Sequence, residues 1–207
     1  MASPPDDDRS TVATEGAAAV ARWRKAERER LIAARLALPG DVRAAQTAAM
    51  ANDLDRLIPG GPETIVSVYW PIRAEPDLRP WMRARWERGT RVALPVALKL
   101  GQPLEFREWS PDAVMARGLW QIPFPADGAV VVPTVVIAPL VGFDAGCYRL
   151  GYGGGFFDRT LATIAVKPLV IGVGFASTSI PTIVPQRHDI PMDWIVTGTM
   201  PPVRRST

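Results

Sequence analysis

The sequence predicts an α/β fold: a three-layer sandwich in which a mainly parallel central sheet is flanked by helices. Apolar, β-branched segments alternate with helical segments along most of the chain. The first unit runs from a strand at residues 64–70, through a helix at residues 77–88, to a strand at residues 91–95. Such a β-α-β unit implies parallel strands joined by a right-handed crossover. At 207 residues, the chain is long enough for one domain with a sizeable core.

The remaining elements follow from apolar periodicity and from breaker residues. Residues 1–14 are predicted to be a disordered tail, and residues 15–203 a single α/β domain. A helix is predicted at residues 15–38, ended by Pro39-Gly40, and a second at residues 41–58. On the first helix, one apolar stripe is expected to comprise Val20, Trp23, Leu31, Ala34 and Leu38.

The carboxyl-terminal half is predicted to continue the same alternation. Residues 111–127 are Pro- and Trp-containing and are expected to be mostly irregular. A helix is predicted at residues 156–165. Further strands are predicted at residues 104–109, 130–132, 134–140, 169–175 and 194–197.

Composition excludes several classes of protein. Hydrophobic residues make up 47% of the chain and charged residues 22%, which is ordinary for a globular domain and unlike a disordered one. No apolar run reaches the roughly 20 residues of a membrane helix, and the acidic amino terminus does not resemble a signal peptide. A single cysteine, Cys147, cannot form an intrachain disulfide, so we expect a cytoplasmic protein with no membrane partner.

A glycine-rich stretch between a predicted strand and a predicted helix is the strongest candidate site. Gly151, Gly153, Gly154 and Gly155 would let the backbone approach an anion closely and point successive N–H groups at it. Arg149 could grip a phosphate with its planar guanidinium, and Asp158 falls in the first helical turn, where a carboxylate could hold Mg²⁺. The alternative is a flexible glycine turn in which Asp158 serves only the helix dipole.

The residues from Arg149 to Asp158 (RLGYGGGFFD) resemble the signature of the 5-formyltetrahydrofolate cyclo-ligase family, also called methenyltetrahydrofolate synthetase. Phe143-Asp144 precede this loop at the spacing typical of the family. The resemblance implies that residues 15–203 bind ATP and folate. It also implies ATP-dependent cyclisation of 5-formyltetrahydrofolate to 5,10-methenyltetrahydrofolate, with release of ADP and phosphate.

Site residues are carried over from the family only where this sequence matches its motifs. The resemblance implies two catalytic residues, Arg149 and Tyr152, and two Mg²⁺ ligands, Asp158 and Asp189. The residues expected to bind ATP are Arg24, Lys25, Arg28, Arg149, Leu150, Gly151, Tyr152, Gly153, Gly154, Gly155, Phe156 and Phe157. Those expected to bind the folate substrate are Trp70, Glu75, Tyr152, Gly153, Gly154, Gly155 and Phe156.

Two of these assignments have ordinary structural alternatives. Glu75 follows a predicted strand and could accept hydrogen bonds from a reduced pterin ring, or could simply cap the next helix. The cations Arg24, Arg28 and Arg35 lie within ~40° of one another on the first helix and could form a solvated basic face. A basic helix of this kind would also suit a nucleic-acid-binding module, although that function leaves the glycine loop unexplained.

The sequence departs from the family pattern at three positions. Glu27 stands where the family has an apolar residue, which leaves the register of the basic motif open. Phe157 replaces a tyrosine, and Cys147 replaces a glycine. A relative with the same ATP site and a different formyl or carboxyl substrate is therefore an alternative. We expect small-molecule substrates, no nucleic-acid partner and a monomer.

Overall fold

A computed structural model describes residues 7–206 of the chain, with side chains from residue 16 onward. Residues 1–6 of the predicted tail lie outside the described residues. Residues 7–14, also predicted to be part of the tail, lie in the first helix. The division into a disordered tail and a domain at residues 15–203 stays a prediction. No helix in the described part of the chain is long and apolar enough to cross a membrane.

The described chain contains four α-helices, close to the predicted positions. They are α1 (Asp7–Ala37), α2 (Gly40–Leu57), α3 (Arg79–Glu87) and α4 (Phe156–Thr163). Pro39 lies between α1 and α2, where its fixed φ and missing N–H end the first helix. Pro80 is tolerated in the first turn of α3, where backbone N–H groups have no intrahelical partner.

The central sheet is mainly parallel, which confirms the predicted fold class. Its parallel strands are β1 (Ile65–Ser67), β2 (Arg91–Val96), β6 (Val135–Pro139), β9 (Leu169–Val173) and β10 (Trp194–Val196). The antiparallel edge strands are β3 (Glu105–Trp109) and β11 (Val203–Arg204). The strand order is β11-β10-β9-β6-β1-β2-β3.

Alternate residues of each strand pack against opposite helical layers. In β6, Val135 and Ile137 join the core beneath α2 and α3, while Val136 and Ala138 join the core beneath α4. The side-chain period of two along a strand produces this division. A sheet covered on both faces reads as continuous apolar runs, which is why its strands were detectable in the sequence.

Two small hairpins were not predicted. One pairs β4 (Met115–Arg117) with β5 (Pro123–Pro125), inside the segment expected to be irregular. The other pairs β7 (Gly142–Phe143) with β8 (Arg149–Leu150), directly before the glycine loop. Conversely, residues 130–132 form only an isolated bridge, between Val130 and Arg107, and the strand predicted there is wrong.

Helix α1 lies across the carboxyl end of the sheet with an unexpected inward face. Leu31 packs in a separate core cluster with Val141, Leu150, Ile180 and Ile183. Trp23, predicted to lie on the apolar stripe, is 38% exposed, whereas Arg24 and Arg35 are buried. The predicted stripe is therefore wrong at Trp23, whereas Leu31 is buried and Leu38 packs against the main core as predicted. The inward face also includes Arg24, Arg28 and Arg35, which share the face of Leu31 at positions i, i+4 and i+11.

Candidate functional site

A cavity of about 790 Å³ opens at the carboxyl ends of β1, β2 and β6. Its walls come from α1, the loop after β1, the glycine loop with the start of α4, the turn between β4 and β5, and the loop at residues 186–189. The crevice outside the carboxyl ends of parallel strands is the usual ligand site of open α/β sheets. The fold therefore brings the candidate residues from distant parts of the sequence to one place.

The glycine loop is held in shape by the β7–β8 hairpin. Asp144 caps the hairpin turn, because its Oδ1 accepts hydrogen bonds from the N–H groups of Gly146 (3.0 Å) and Tyr148 (3.1 Å). Its other oxygen accepts a hydrogen bond from the N–H of Ile183 at 2.9 Å, which joins the hairpin to the neighbouring loop. Phe143-Asp144 therefore serve as the rigid base of the glycine loop.

Three glycines are required by the shape of the loop itself. Gly153 has φ +93° and Gly155 has φ +63°, and both conformations are costly for residues with a Cβ. At Gly151 a Cβ would lie 2.5 Å from Nη1 of Arg149, so the arginine occupies the space that the missing side chain leaves. Gly155 also immediately precedes α4, so free N–H groups of the helix face the cavity that the loop lines.

Arg149 and Asp158 form a buried pair beside this loop. Nη2 of Arg149 lies 3.3 Å from Oδ2 of Asp158, and the guanidinium lies 5.0 Å from the centroid of the Phe157 ring. Burial lowers the pKa of Arg149, with the charges of Asp158, Asp189 and Glu75 opposing that shift. Nε of Arg149 has no hydrogen-bond partner in the described part of the chain. A partly paired, buried guanidinium on the cavity wall can accept an anion.

Helix α1 contributes two arginines to the cavity, and Lys25 is not among the residues that line it. Nε of Arg28 donates to the carbonyl of Gly151 at 2.7 Å, which ties α1 to the glycine loop. Arg24 makes a two-fold hydrogen-bonded ion pair with Asp189 and also donates to the carbonyls of Ile183 and Val184. Lys25 is exposed.

Asp189 is a strongly bound carboxylate. Besides the Arg24 pair, it accepts a hydrogen bond from the N–H of Gln186 at 2.6 Å. Burial alone would raise the pKa of Asp189, but the hydrogen bonds from Arg24 and Gln186 and the charge of Arg24 outweigh it, so the pKa is lowered. Asp189 is therefore ionised at neutral pH and fixes the loop at residues 183–189 against α1.

Three polar side chains are linked at the cavity wall: Glu75 and Tyr152 line the cavity, and Arg35 lies behind them. The Tyr152 hydroxyl accepts a hydrogen bond from Nη2 of Arg35 at 2.6 Å and donates one to Oε1 of Glu75 at 2.9 Å. Oε2 of Glu75 accepts from the N–H of Ile72 at 2.8 Å. Burial raises the pKa of Glu75, and these donors together with the charges of Arg35 and Arg149 oppose that rise. Each carboxylate oxygen retains capacity for a further donor.

Aromatic rings also line the cavity. Trp70 is half-buried, with the Arg79 guanidinium 5.3 Å from its ring centroid. Trp120, 62% exposed, meets Phe156 edge to face at a centroid distance of 5.6 Å. Flat apolar surfaces in a cavity that the Glu75 carboxylate also lines suit a planar heterocycle that carries N–H groups.

The two predicted metal ligands fit Mg²⁺ unequally. Both line the cavity, and the N–H of Ile190 donates to Oδ1 of Asp158 at 3.2 Å, so the loop that follows Asp189 touches Asp158. Asp158 keeps free lone pairs and fits one carboxylate of a site completed by phosphate oxygens and water. Both carboxylate oxygens of Asp189 accept hydrogen bonds from Arg24. Among the described residues, no three metal-binding side chains cluster.

Sequence reasoning assigned no role to one residue of the site, Arg35. Its side chain is fully buried and contacts Tyr152, yet it entered the sequence analysis only as part of a basic run. The available signal was spacing, since Arg24, Arg28 and Arg35 share one helical face. An arginine stripe that includes a core leucine is better explained by a buried polar cavity than by solvent.

Comparison with known proteins identifies a family. The sequence pattern of the 5-formyltetrahydrofolate cyclo-ligase family matches residues 20–198. The 5-formyltetrahydrofolate cyclo-ligase of Mycolicibacterium smegmatis is 30% identical over 178 residues, covering 82% of this chain and 91% of that protein. The Escherichia coli (strain K12) protein of the same name is 32% identical over 139 residues, covering 64% and 76%.

Solved structures share the fold. The NMR structure of Aquifex aeolicus 5,10-methenyltetrahydrofolate synthetase superposes with a TM-score of 0.72 at 27% identity, covering 88% of this chain and 92% of that one. The Mycoplasma pneumoniae 5,10-methenyltetrahydrofolate synthetase superposes with a TM-score of 0.69 at 18% identity, covering 84% and 98%, and so supports the fold alone. With its RLGYGGGFFD loop and a match over residues 20–198, this chain belongs to the 5-formyltetrahydrofolate cyclo-ligase family.

Proposed function

We propose that this chain catalyses the ATP-dependent cyclisation of 5-formyltetrahydrofolate to 5,10-methenyltetrahydrofolate, with release of ADP and phosphate. The observation that carries the proposal is one cavity lined by two chemically different sets of residues. The glycine loop, Arg28 and Arg149 offer N–H donors and cations, and we call this set the phosphate end. Glu75 and Trp70 offer a carboxylate and an aromatic face, and we call this set the folate end. An enzyme that joins a nucleotide phosphate to a folate needs both.

The chemistry requires alignment rather than a protein nucleophile. The formyl oxygen attacks the γ-phosphorus of ATP, and the bond from that phosphorus to the bridging oxygen of ADP breaks. The neighbouring folate nitrogen then bonds to the formyl carbon, that nitrogen loses its proton, and the activated oxygen leaves as phosphate. Catalysis therefore depends on holding the formyl oxygen in line with the phosphorus and on stabilising charge on the transferring group.

The phosphate end supplies that charge stabilisation. Arg149 is fixed by Asp158 and Phe157, so its guanidinium does not have to reorganise during the reaction. The N–H groups at the start of α4 and in the glycine loop add fixed dipoles. Arg28 is already bonded to the Gly151 carbonyl, so it contributes charge while it holds the loop. Arg24 contributes indirectly, because its ion pair with Asp189 fixes the loop at residues 183–189 against α1.

The folate end supplies orientation. The Glu75 carboxylate can accept hydrogen bonds from the amino and ring N–H groups of the pterin, and Trp70 can pack on its face. Tyr152 belongs to both ends, because its backbone lies in the glycine loop and its hydroxyl donates to Glu75. We assign Tyr152 the role of setting the distance between the pterin and the γ-phosphate.

Mg²⁺ belongs to this proposal as the partner of ATP. When bound, it would neutralise charge on the β- and γ-phosphate oxygens. Asp158 is the residue that would hold it. The assignment of Asp189 as a second ligand stays a prediction, and its ion pair with Arg24 favours a structural role.

The burial of Arg24 and Arg35 does not support a nucleic-acid-binding surface on α1. A cytoplasmic location and a monomeric state also stay predictions.

Absorbance tests the proposed function. 5,10-Methenyltetrahydrofolate has a near-UV band that 5-formyltetrahydrofolate lacks. Purified protein with ATP, Mg²⁺ and 5-formyltetrahydrofolate should produce that band, and omission of ATP should abolish it. An established cyclo-ligase serves as the positive control. No band from this protein beside an active control would overturn the proposal and favour a relative with a different formyl or carboxyl substrate.

A further inference from the structure

Arg35 is a buried charged residue behind the cavity wall, in contact with the lining residue Tyr152, and it has no role in the chemistry proposed above. Its side chain is only 1% exposed and is almost surrounded by acceptors. Nε donates to the carbonyl of Arg73 at 3.0 Å, and Nη1 donates to the carbonyl of Leu140 at 3.2 Å. Nη2 donates to the Tyr152 hydroxyl at 2.6 Å. A planar fork with several donors is needed for such a set, and lysine cannot supply it.

The carbonyl of Arg73 belongs to an unusual turn. Arg73 (φ 47°) and Ala74 (φ 58°) both have left-handed backbone conformations, which non-glycine residues adopt only when their surroundings hold them. Glu75 follows directly, and its own N–H and carboxylate both bond back to Ile72. The turn therefore sets the direction in which the Glu75 carboxylate faces the cavity.

Arg35 thus controls Glu75 by two routes. Through the Arg73 carbonyl it holds the turn from which Glu75 projects, and through Tyr152 it holds the hydroxyl that bonds to Oε1 of Glu75. It makes no hydrogen bond to Arg149, Asp158 or the backbone of the glycines. The network joins Glu75 to α1, and Tyr152 is its one hydrogen-bonded member from the glycine loop among the described residues.

We propose that Arg35 is a positioning residue for the folate substrate: it fixes Tyr152 and the residue 73–75 turn so that Glu75 faces the pterin as a carboxylate. This rests on the proposed function, because it assumes that Glu75 receives the pterin. It predicts that loss of Arg35 weakens 5-formyltetrahydrofolate binding and leaves ATP binding nearly unchanged.

The charge of Arg35 has a second consequence. Burial raises the pKa of Glu75, and Arg35 is the largest opposing charge. The groups that face Glu75 are Arg35 on α1, Tyr69 after β1, and Arg149 and Tyr152 from the glycine loop. Of these, Arg35 and Arg149 carry the positive charge. Without Arg35 the Glu75 carboxyl should protonate at higher pH, so folate affinity should be lost earlier on acidification.

The experiment compares Arg35→Gln, Tyr152→Phe and the double variant in the methenyltetrahydrofolate absorbance assay. Each single change should raise the KM for 5-formyltetrahydrofolate about tenfold, as expected when one buried partner is left unsatisfied. The KM for ATP should change by less than about threefold. The double variant should resemble Arg35→Gln rather than show a hundredfold loss, because Arg35→Gln already removes the contact through which Tyr152 is held, together with the contact to the Arg73 carbonyl.

Arg85→Gln is the matched control. Arg85 is a second buried arginine, 5% exposed, that donates to the carbonyls of Ile58 and Pro59 and does not line the cavity. The Arg85→Gln variant should have a lower melting temperature and an unchanged KM for both ATP and 5-formyltetrahydrofolate. In Arg35→Gln alone, the acidic limb of the pH profile of kcat/KM for folate should move to higher pH.

The outcomes separate this inference from the proposed function. If the wild-type protein forms no methenyltetrahydrofolate, the proposed function fails first. If the wild-type protein is active and Arg35→Gln raises both KM values equally, or behaves like Arg85→Gln, Arg35 is structural and the inference is overturned. If Arg35→Gln does not fold, Tyr152→Phe and Arg35→Lys test the proposal instead. An unchanged KM for 5-formyltetrahydrofolate in Tyr152→Phe overturns the proposal. In Arg35→Lys, a raised KM for 5-formyltetrahydrofolate together with an unshifted acidic limb of the pH profile supports it.

Discussion

Replacement of Arg149 by alanine is expected to lower kcat about a hundredfold or more. Arg149 is the buried cation on the cavity wall beside the glycine loop, and its Nε has no hydrogen-bond partner among the described residues. We expect it to contact the transferring phosphoryl group. Loss of one preorganised donor of this kind costs about 2.7–4 kcal/mol in the transition state, or about 10²–10³ in rate.

The same change also has a cost in stability. Asp158 would lose the cation that lies 3.3 Å from its Oδ2, although its Oδ1 would keep the N–H of Ile190. Removing one partner of a buried ion pair costs about 3–5 kcal/mol when the other charge is left uncompensated. The remaining hydrogen bond and the cavity opening place the cost here at the lower end of that range. The variant should therefore fold with a reduced melting temperature.

The assay is steady-state formation of methenyltetrahydrofolate at saturating ATP and folate, with thermal unfolding measured on the same preparations. Arg85→Ala is the matched control, since Arg85 is also buried and its Nε also lacks a partner within the described residues. It should lose stability and retain its rate. An Arg149→Ala enzyme that turns over within about threefold of wild type would refute the phosphate role, and Arg149 would then only support the loop.

Four further predictions follow from the geometry of the site. Glu75→Gln should weaken 5-formyltetrahydrofolate binding in calorimetric titration about tenfold and leave ATP binding unchanged, because an amide presents N–H groups to pterin donors; equal losses for both ligands would mean that Glu75 serves the fold. Asp158→Asn should raise the Mg²⁺ concentration for half-maximal rate more than Asp189→Asn does; the reverse order would restore Asp189 as the main ligand. Gly153→Ala should lower the rate, because the φ of +93° is strained for alanine and its Cβ would lie 3.2 Å from Cζ of Arg28; an unchanged rate would show that the loop is free to move. Asp189 has a lowered pKa, so its ion pair should stabilise the fold at neutral pH and lose that contribution as pH falls through the folded-state pKa; if Arg24→Gln loses as much stability on acidification as wild type, the pair contributes nothing.

Much of the fold was predictable because the strands of a buried sheet are recognisable in the sequence as apolar runs. Strands such as β6 and β9 are covered on both faces and are therefore apolar throughout, and Pro39 and Pro80 mark helix ends. The β4–β5 and β7–β8 hairpins were missed because strands of two or three residues are too short for a period of two to be recognised. In β5 two of the three residues are prolines, which ordinarily argue against a strand.

The orientation of α1 could not be obtained from apolar periodicity. Its inward face meets backbone carbonyls and the Asp189 carboxylate, so arginines satisfy those acceptors where an apolar core would leave them unpaired. Trp23 is displaced to a partly exposed position as a result. Apolar periodicity identified Leu31 and Leu38 but not the inward arginines, because part of this helix face lies over the cavity and part over the protein core.

The location of the site was predictable, but its internal connections were not. Four glycines between a strand and a helix, with Arg149 before them, predict a phosphate-binding loop, and the structure places this loop on the cavity wall. Glu75 and Tyr152 are separated by 77 positions, and no local pattern links them. The pairing of Asp189 with Arg24 across 165 positions is equally invisible in sequence, which is why Asp189 was predicted only as a metal ligand.

The central claim is that one cavity couples consumption of ATP to closure of the folate ring. Measuring ADP and methenyltetrahydrofolate in the same reaction tests it most directly. We expect one ADP for each methenyltetrahydrofolate formed, and no ADP above background when 5-formyltetrahydrofolate is omitted. ADP produced at the full rate without the folate, or methenyltetrahydrofolate produced without ATP, would contradict it.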